Sequence, residues 1–314
     1  MSQSLFITGG SGYIGSTLIS HAAASGYTIT ALSRTPESDA KLSSLGAVPI
    51  RGDLSTLDVL TREASRADVV ISIADSLASD YSISKEERFR VNDAANDALA
   101  QGLEGSGKPL LLTGGSLSAA ADPEGRETDE TSPKWPVDHW LHLDREEPTK
   151  RYVGMGVRVC HIRLAPYVYG RGGSGVKLFM GMWNQAGAGM KVDGGAKRTT
   201  AVHVDDAVRL YLLVAEKGGA GEMYNATAQN KVTQAQLAET ICKAIGVPCL
   251  PKTYDEAVPK VGAFLAGFLT VENRASNRKA REELGWEIRE KGILEDIESG
   301  SYVEVAKALK DGRT

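Results

Sequence analysis

Cysteine is scarce in this chain of 314 residues. Cys160, Cys242 and Cys249 are too scattered for a disulfide framework and do not pair at metal-ligand spacing. A reducing compartment follows, and the cytoplasm is the expected location. Aromatic residues amount to only 6%. No apolar run approaches the length of a bilayer, and the stretch after MSQSLFITGG is too short for a secretory signal, so neither a membrane partner nor export is expected. Charge of one sign does not accumulate either: the net charge is -4 and no basic block exists, which excludes the electrostatics that nucleic acid or anionic lipid demands. Small molecules remain the expected partners.

The material for a large core is present, with 42% hydrophobic residues against 24% charged. The first half alternates apolar runs (SLFIT, YTITAL, AVPI, DVVISI, PLLLT, VRVCHIRL) with helical periodicity near residues 13–25, 55–65, 85–104 and 138–153. That rhythm predicts an α/β fold with a doubly wound parallel Rossmann sheet, whose ligands sit beyond the carboxyl ends of the strands. After Gly170 the glycines of YGRGGSG, AGAG and DGGAK mark loops, so a smaller C-terminal substrate-binding lobe is expected there. The expected division is 1–170 for the nucleotide domain and 171–314 mainly for the lobe, with a helix and strand near 200–225 returning to the sheet. Further helices are predicted at 204–217, 233–245, 274–284 and 300–310. The first begins with acidic residues and ends in Lys-Gly-Gly, matching the helix dipole and a C-cap.

FITGGSGYIG places Gly10, Gly12 and Gly15 at G-x-G-x-x-G spacing, directly after a strand and opening a helix. Such glycines permit a tight turn, close approach of a pyrophosphate and close helix packing, and the helix N-terminus attracts the anion. Gly9, Gly12, Tyr13, Ile14 and Gly15 are the expected cofactor contacts of this loop. At the end of the second strand an NAD site wants a carboxylate for the ribose 2′-hydroxyl, but ALSRTPES offers Ser33 and Arg34. A guanidinium suits a 2′-phosphate, so NADP(H) is the expected cofactor; the alternative is a solvated surface arginine. In RGDL after the third strand, Asp53 is expected to accept from the adenine amino group, with Leu54 on the ring. The competing role is a helix cap, for which Ser55 is equally suited.

TGGSGYIG, RGDL, LLLTGGS, IRLAPYVYGRGGS, AVHVDDAVRLY, EMYNAT and SNRKAREELGW span nearly the whole chain. On these motifs it resembles the short-chain dehydrogenase/reductases of the extended or atypical, epimerase-like type. The resemblance implies that Ser116 hydrogen-bonds a substrate carbonyl or hydroxyl, that Ala74 lies beside the cofactor ribose and that Pro166 lies near the carboxamide. It also implies a homodimer paired through helices of the sheet domain.

The family's Tyr-x-x-x-Lys pair is missing where it is expected. The one such spacing, Tyr81 to Lys85 in YSISK, precedes Ser116 and is a coincidental match. Counting back from Arg163, the lysine position falls on His142 and the tyrosine position on Asp138. Glu146, one helical turn on, would favour the imidazolium of His142, which could hold the nicotinamide ribose or donate a proton. A metal shared by His139, His142 and Glu146 is disfavoured, since nothing else in the chain would support it, and none is expected. Trp140 and Leu141 are expected in the core. Tyr167 and Tyr169 are alternative proton donors, equally compatible with a structural role. HVDD at 203–206 fits a helix start. The expected activity is NADP(H)-dependent oxidation or reduction of a small organic compound. An aromatic or polyketide-like carbonyl suits the apolar VGAFLAGFL, whereas a sugar diphosphate would need clamps such as Lys191, Lys197 and Arg198. Two other classes fit the same scaffold: a non-redox cyclase, isomerase, epimerase or dehydratase, and an NADP(H)-binding sensor.

Overall fold

The computed structural model describes residues 2–76, 83–142 and 146–312, without the side chains of Glu146 and Glu147. Strand β1 (Ser4–Thr8) runs into the glycine loop and helix α1 (Tyr13–Ala24), and the pattern repeats through β2 (Thr28–Ser33), α2 (Pro36–Ser44), β3 (Val48–Arg51), α3 (Leu57–Arg66), β4 (Val69–Ser72), α4 (Lys85–Gly102), β5 (Pro109–Gly115), α5 (Glu146–Gly154) and β6 (Arg158–Leu164). The central sheet has seven strands, six of them in the order β3-β2-β1-β4-β5-β6, and β10 (Met223–Ala226) joins its far edge. β1 pairs in parallel with both β2 and β4, so the strand order reverses beside β1, which is where such sheets bind ligands. Leu5, Phe6, Ile7, Val70, Ile71, Leu110 and Leu111 are all buried, as expected of continuous apolar strands covered on both faces. Local caps fix the helix starts. The Thr35 hydroxyl accepts from the Ser38 amide ahead of Pro36, and the Ser84 hydroxyl accepts from Glu87.

The chain forms two compact units. Unit 1 comprises residues 1–114, 144–163 and 208–224; unit 2 comprises 115–143, 164–207 and 225–314. Unit 2 contains a sheet in the order β11-β9-β7, built from β7 (Tyr167–Tyr169), β9 (Arg198–His203) and β11 (Gln229–Thr233), and a parallel pair of β8 (Gly189–Val192) with β12 (Cys249–Lys252). Around them lie α6 (Ser174–Ala186), α8 (Gln234–Ile245), α9 (Tyr254–Phe268), α10 (Arg278–Leu284), α11 (Ile293–Ser299) and α12 (Val303–Lys310). Tyr167, Phe179, Trp183, Ile241 and Ile293 sit in this unit's core. Capping boxes start α8 at Thr233 and Gln236, and α9 at Thr253 and Glu256. Helix α7 (Val204–Lys217) follows β9 directly.

Three expectations need correction. Among the described residues the helix predicted over 138–153 is present as α5, Glu146–Gly154, whereas residues 138–141 form turns and a bend. The glycine-rich stretch after Gly170 does not continue as loop, because α6 begins at Ser174. The helix predicted from 274 begins at Arg278, since Ala275 bridges to Thr128 instead. Among the described residues no helix is long and apolar enough to cross a membrane.

Candidate functional site

In unit 1 the loop between β1 and α1 is a hollow shaped by missing side chains. Gly9 stands at φ +77°, and a Cβ there would lie 2.8 Å from the Ala74 amide nitrogen. That amide donates to Thr8 Oγ1 at 3.3 Å, so the segment after β4 closes on the glycine turn and brings Ala74 to it. The Gly12 amide donates to the Gly9 carbonyl at 3.1 Å, and Gly12 caps α1 with no side chain of its own. A Cβ on Gly15 would run into the Gly9 carbonyl oxygen. Tyr13 and Ile14, half-buried, open a helix whose first turn carries no acidic residue. This cradle fits a phosphate: a turn without side chains, its backbone amides and the positive end of a helix coincide.

Ser33 ends β2 buried, its hydroxyl donating to the Thr35 carbonyl at 3.3 Å, and Arg34 is exposed. The Lys41 ammonium of α2 donates to the Ser11 carbonyl inside the glycine loop at 2.6 Å. Sequence reasoning passed over this lysine, because only the folding of α2 back over the loop brings it there. Asp53 is exposed; its Oδ1 accepts from the Ser55 amide at 2.8 Å and from Thr56 Oγ1 at 2.9 Å, which orders the start of α3. Leu54 packs, half-buried, against the core of the unit.

In unit 2, Ser116 is 1% exposed. Its hydroxyl donates to Asn273 Oδ1 at 3.0 Å, the Asn273 amide donates back to the Ser116 carbonyl at 3.2 Å, and the Thr200 hydroxyl also donates to Asn273 Oδ1. Asn273 and Thr200 are both buried and had no signal in the sequence. The Trp135 indole donates to the Leu117 carbonyl at 2.7 Å, and His142 Nδ1 lies 2.6 Å from the Trp135 carbonyl. A carbonyl can only accept, so Nδ1 carries the hydrogen of this bond. Ser116 and His142 are thus tied together through Trp135. The His139 ring stacks on Trp135 at 4.1 Å, and its Nδ1 accepts from the Leu141 amide at 3.2 Å. Trp140 is 41% exposed, contrary to the expected burial, because its ring lies on the surface of α9 against Phe264. The Glu146 side chain and Tyr81 lie outside the described residues.

Tyr167 is found elsewhere, in the core of unit 2. Its hydroxyl donates to Gln234 Oε1 at 3.1 Å and burial pushes its pKa well up. Tyr169 donates to the Lys291 carbonyl at 2.5 Å, and burial, with Asp206 and Asp296 next in effect, raises its pKa as well. Pro166 sits half-buried in the bend between β6 and β7. In HVDD the carboxylates serve structure. Asp205 takes two hydrogen bonds from Arg171, at 2.9 and 2.6 Å, and Asp206 accepts from the amides of Arg289 and Glu290 at 2.9 and 3.2 Å. Lys191 pairs with Glu239 and Arg198 with Glu272, each at 2.7 Å.

The model of the NAD dependent epimerase/dehydratase family matches residues 5–227. An uncharacterised protein of Saccharomyces cerevisiae is 32% identical over 296 residues, covering 93% of this chain and 97% of its own. A ketoreductase of Stigmatella aurantiaca, named for a 4-hydroxy-2-methyl-3-oxo-4-farnesyl-3,4-dihydroquinoline-1-oxide, is 25% identical over 315 residues, covering 90% of this chain and 91% of its own. The crystal structure of UDP-glucose 4-epimerase from Thermotoga maritima with UDP-glucose shares the fold, with a TM-score of 0.76, 20% identity and coverage of 97% and 98%. The glycine cradle at the strand reversal and a match running from β1 through β10 agree: this chain belongs to the NAD dependent epimerase/dehydratase family.

Proposed function

We propose that this protein is an NADP(H)-dependent reductase acting on the carbonyl of a small organic compound. The single observation that carries this is the sign of the charge around the end of β2. Arg34 follows Ser33, and Lys41 reaches the glycine loop, where an NAD site would present a carboxylate to the ribose. Gly9, Gly12, Tyr13, Ile14, Gly15 and Ala74 hold the pyrophosphate and ribose; Arg34 and Lys41 hold the 2′-phosphate. Asp53 and Leu54 flank the adenine, and Pro166 the carboxamide. When bound, the nicotinamide supplies hydride.

Ser116 polarises the substrate oxygen. Its hydroxyl can turn from Asn273 toward a substrate without leaving that buried oxygen unpaired, because Thr200 donates to the same atom. His142, presenting Nε2, supplies the proton that the missing tyrosine would otherwise give. Tyr167, already bonded to Gln234, serves this role less well. The ketoreductase among the relatives supports carbonyl reduction, and the family name leaves an epimerase or dehydratase as the rival outcome.

Calorimetry with NADPH and NADH tests the cofactor. NADPH should bind at least about tenfold more tightly, and Arg34→Ala and Lys41→Ala should each remove about tenfold of that affinity while sparing NADH. Equal affinity for the two nucleotides overturns the assignment. In turnover of a ketone panel, His142→Ala and Ser116→Ala should each lower kcat by about a hundredfold. Product formed equally well without a hydride donor would give the protein to the non-redox class.

A further inference from the structure

We infer that Trp140 and Phe264 form a binding face for a planar aromatic substrate, which names the substrate class of the reductase proposed above and rests on that proposal. Phenylalanine, tryptophan and tyrosine are only 6% of the chain, yet three of them, with one histidine ring, gather at one place in unit 2. Trp135 and His139 stack with centroids 4.1 Å apart and planes 10° from parallel; Trp140 follows at 6.1 Å from His139, and Phe264 meets Trp140 edge-on at 5.5 Å. Trp140 is 41% and Phe264 61% exposed, whereas Trp183, Trp286 and Phe179 are buried. The two rings offer apolar surface to a ligand and hold it in fixed orientation.

The arrangement is built for that. A Cβ on Gly267 of α9 would lie 3.3 Å from the Trp140 ring, so the missing side chain is what lets the indole settle on the helix. At the other end the array is pinned beside Ser116: the Trp135 indole donates to the Leu117 carbonyl at 2.7 Å and the Ala120 amide donates to the Pro133 carbonyl at 2.7 Å. The array of rings therefore runs from the exposed Trp140 and Phe264, by way of His139 and Trp135, to Leu117, the neighbour in sequence of Ser116. Apolar walls with a few convergent polar groups are the common make-up of small-molecule sites. Charge points the same way. Lys191 and Arg198, two of the three cations suited to a sugar diphosphate, are held by Glu239 and Glu272. An uncharged aromatic carbonyl compound is the occupant this chemistry selects.

The test is calorimetry on the full chain without cofactor, using 2-acetylnaphthalene and its fully saturated counterpart. Wild type should bind the planar ketone, Trp140→Leu should weaken it about tenfold, and Trp140→Phe should keep most of the affinity. The saturated ketone should bind all three proteins weakly, and NADPH affinity should not change. Equal binding by wild type and Trp140→Leu, or a saturated ketone bound as tightly as the planar one, overturns the inference. So does a sedimentation coefficient that differs between wild type and Trp140→Leu, which would give the face to a second copy of the chain. The two proposals fail separately. Aromatic ketone bound tightly by a protein indifferent to NADPH keeps the face and ends the reductase; NADPH oxidation by the planar aromatic ketone undiminished in Trp140→Leu keeps the reductase and ends the face.

Discussion

Gly170 stands at φ +108°, and a Cβ there would strike the His203 imidazole. The surrounding loop has little room to yield. The Gly170 amide donates to the Tyr302 hydroxyl at 2.9 Å, that hydroxyl donates to the Gly173 carbonyl at 2.8 Å, and the Gly172 amide donates to Ser301 Oγ at 2.9 Å. Gly170→Ala meets both an unfavourable backbone region and a buried ring, so it should lower stability by about 2–4 kcal/mol, read from urea unfolding. A loss below about 1 kcal/mol would mean that the loop relaxes around the methyl group. Residues differ sharply in how visible their roles are beforehand. Gly12 and Gly15 were legible because a phosphate turn demands glycine at fixed spacing. Asn273 was not: it meets Ser116 across 157 positions, and a buried amide carries no local pattern.

Elements were legible where periodicity and caps agree. The six apolar runs of the first half became β1 to β6, and α4 starts at Lys85 behind its Ser84 cap. They were missed where turns replace a helical pattern, as at 138–141 in the helix predicted from 138, or where glycines frame a helix instead of a loop, as before α6. The entrances of the strands show what a side chain can add to an element. Asp68, just before β4, accepts from the Ser4 amide at 3.0 Å and the Ser4 hydroxyl at 2.8 Å, and pairs with Lys108 at 3.2 Å, so it ties together the starts of β1, β4 and β5. These bonds, those from Ser4 first, hold its pKa below the usual carboxylate value. A depressed folded-state pKa contributes stability above the unfolded pKa, near 3.9, and loses it as pH falls through the folded value. Asp68→Asn should therefore flatten the acid limb of a stability-against-pH curve below about pH 4, by no more than about 1 kcal/mol since the side chain is 43% exposed. An unchanged acid limb would show that Ser4 and Lys108 do not favour the ionised form.

At the scale of the whole chain, unit 1 cannot be had as a continuous N-terminal piece, because residues 208–224 complete it. The Arg158 guanidinium at the start of β6 donates to the carbonyls of Ala215 at 2.6 Å and Gly218 at 2.8 Å, satisfying the open end of α7. β6 also exchanges backbone bonds with the returning segment: the Gly221 amide donates to the Val159 carbonyl and the His161 amide to the Glu222 carbonyl. Leu210, Tyr211 and Val214 are fully buried, and the Tyr211 hydroxyl meets Thr113 Oγ1 at 2.8 Å. Each such side chain contributes about 2 kcal/mol by burial, so losing the three removes about 6 kcal/mol, as much as an ordinary domain has to spare. A fragment of residues 1–163 carries the entire glycine cradle, Arg34, Lys41 and Asp53. It should nonetheless show no cooperative urea transition and no calorimetric heat with NADPH, while the full chain shows both. If the fragment unfolds cooperatively and binds the nucleotide, then α7 and β10 are dispensable to the sheet, and the cradle is set by β1, α1 and β4 alone.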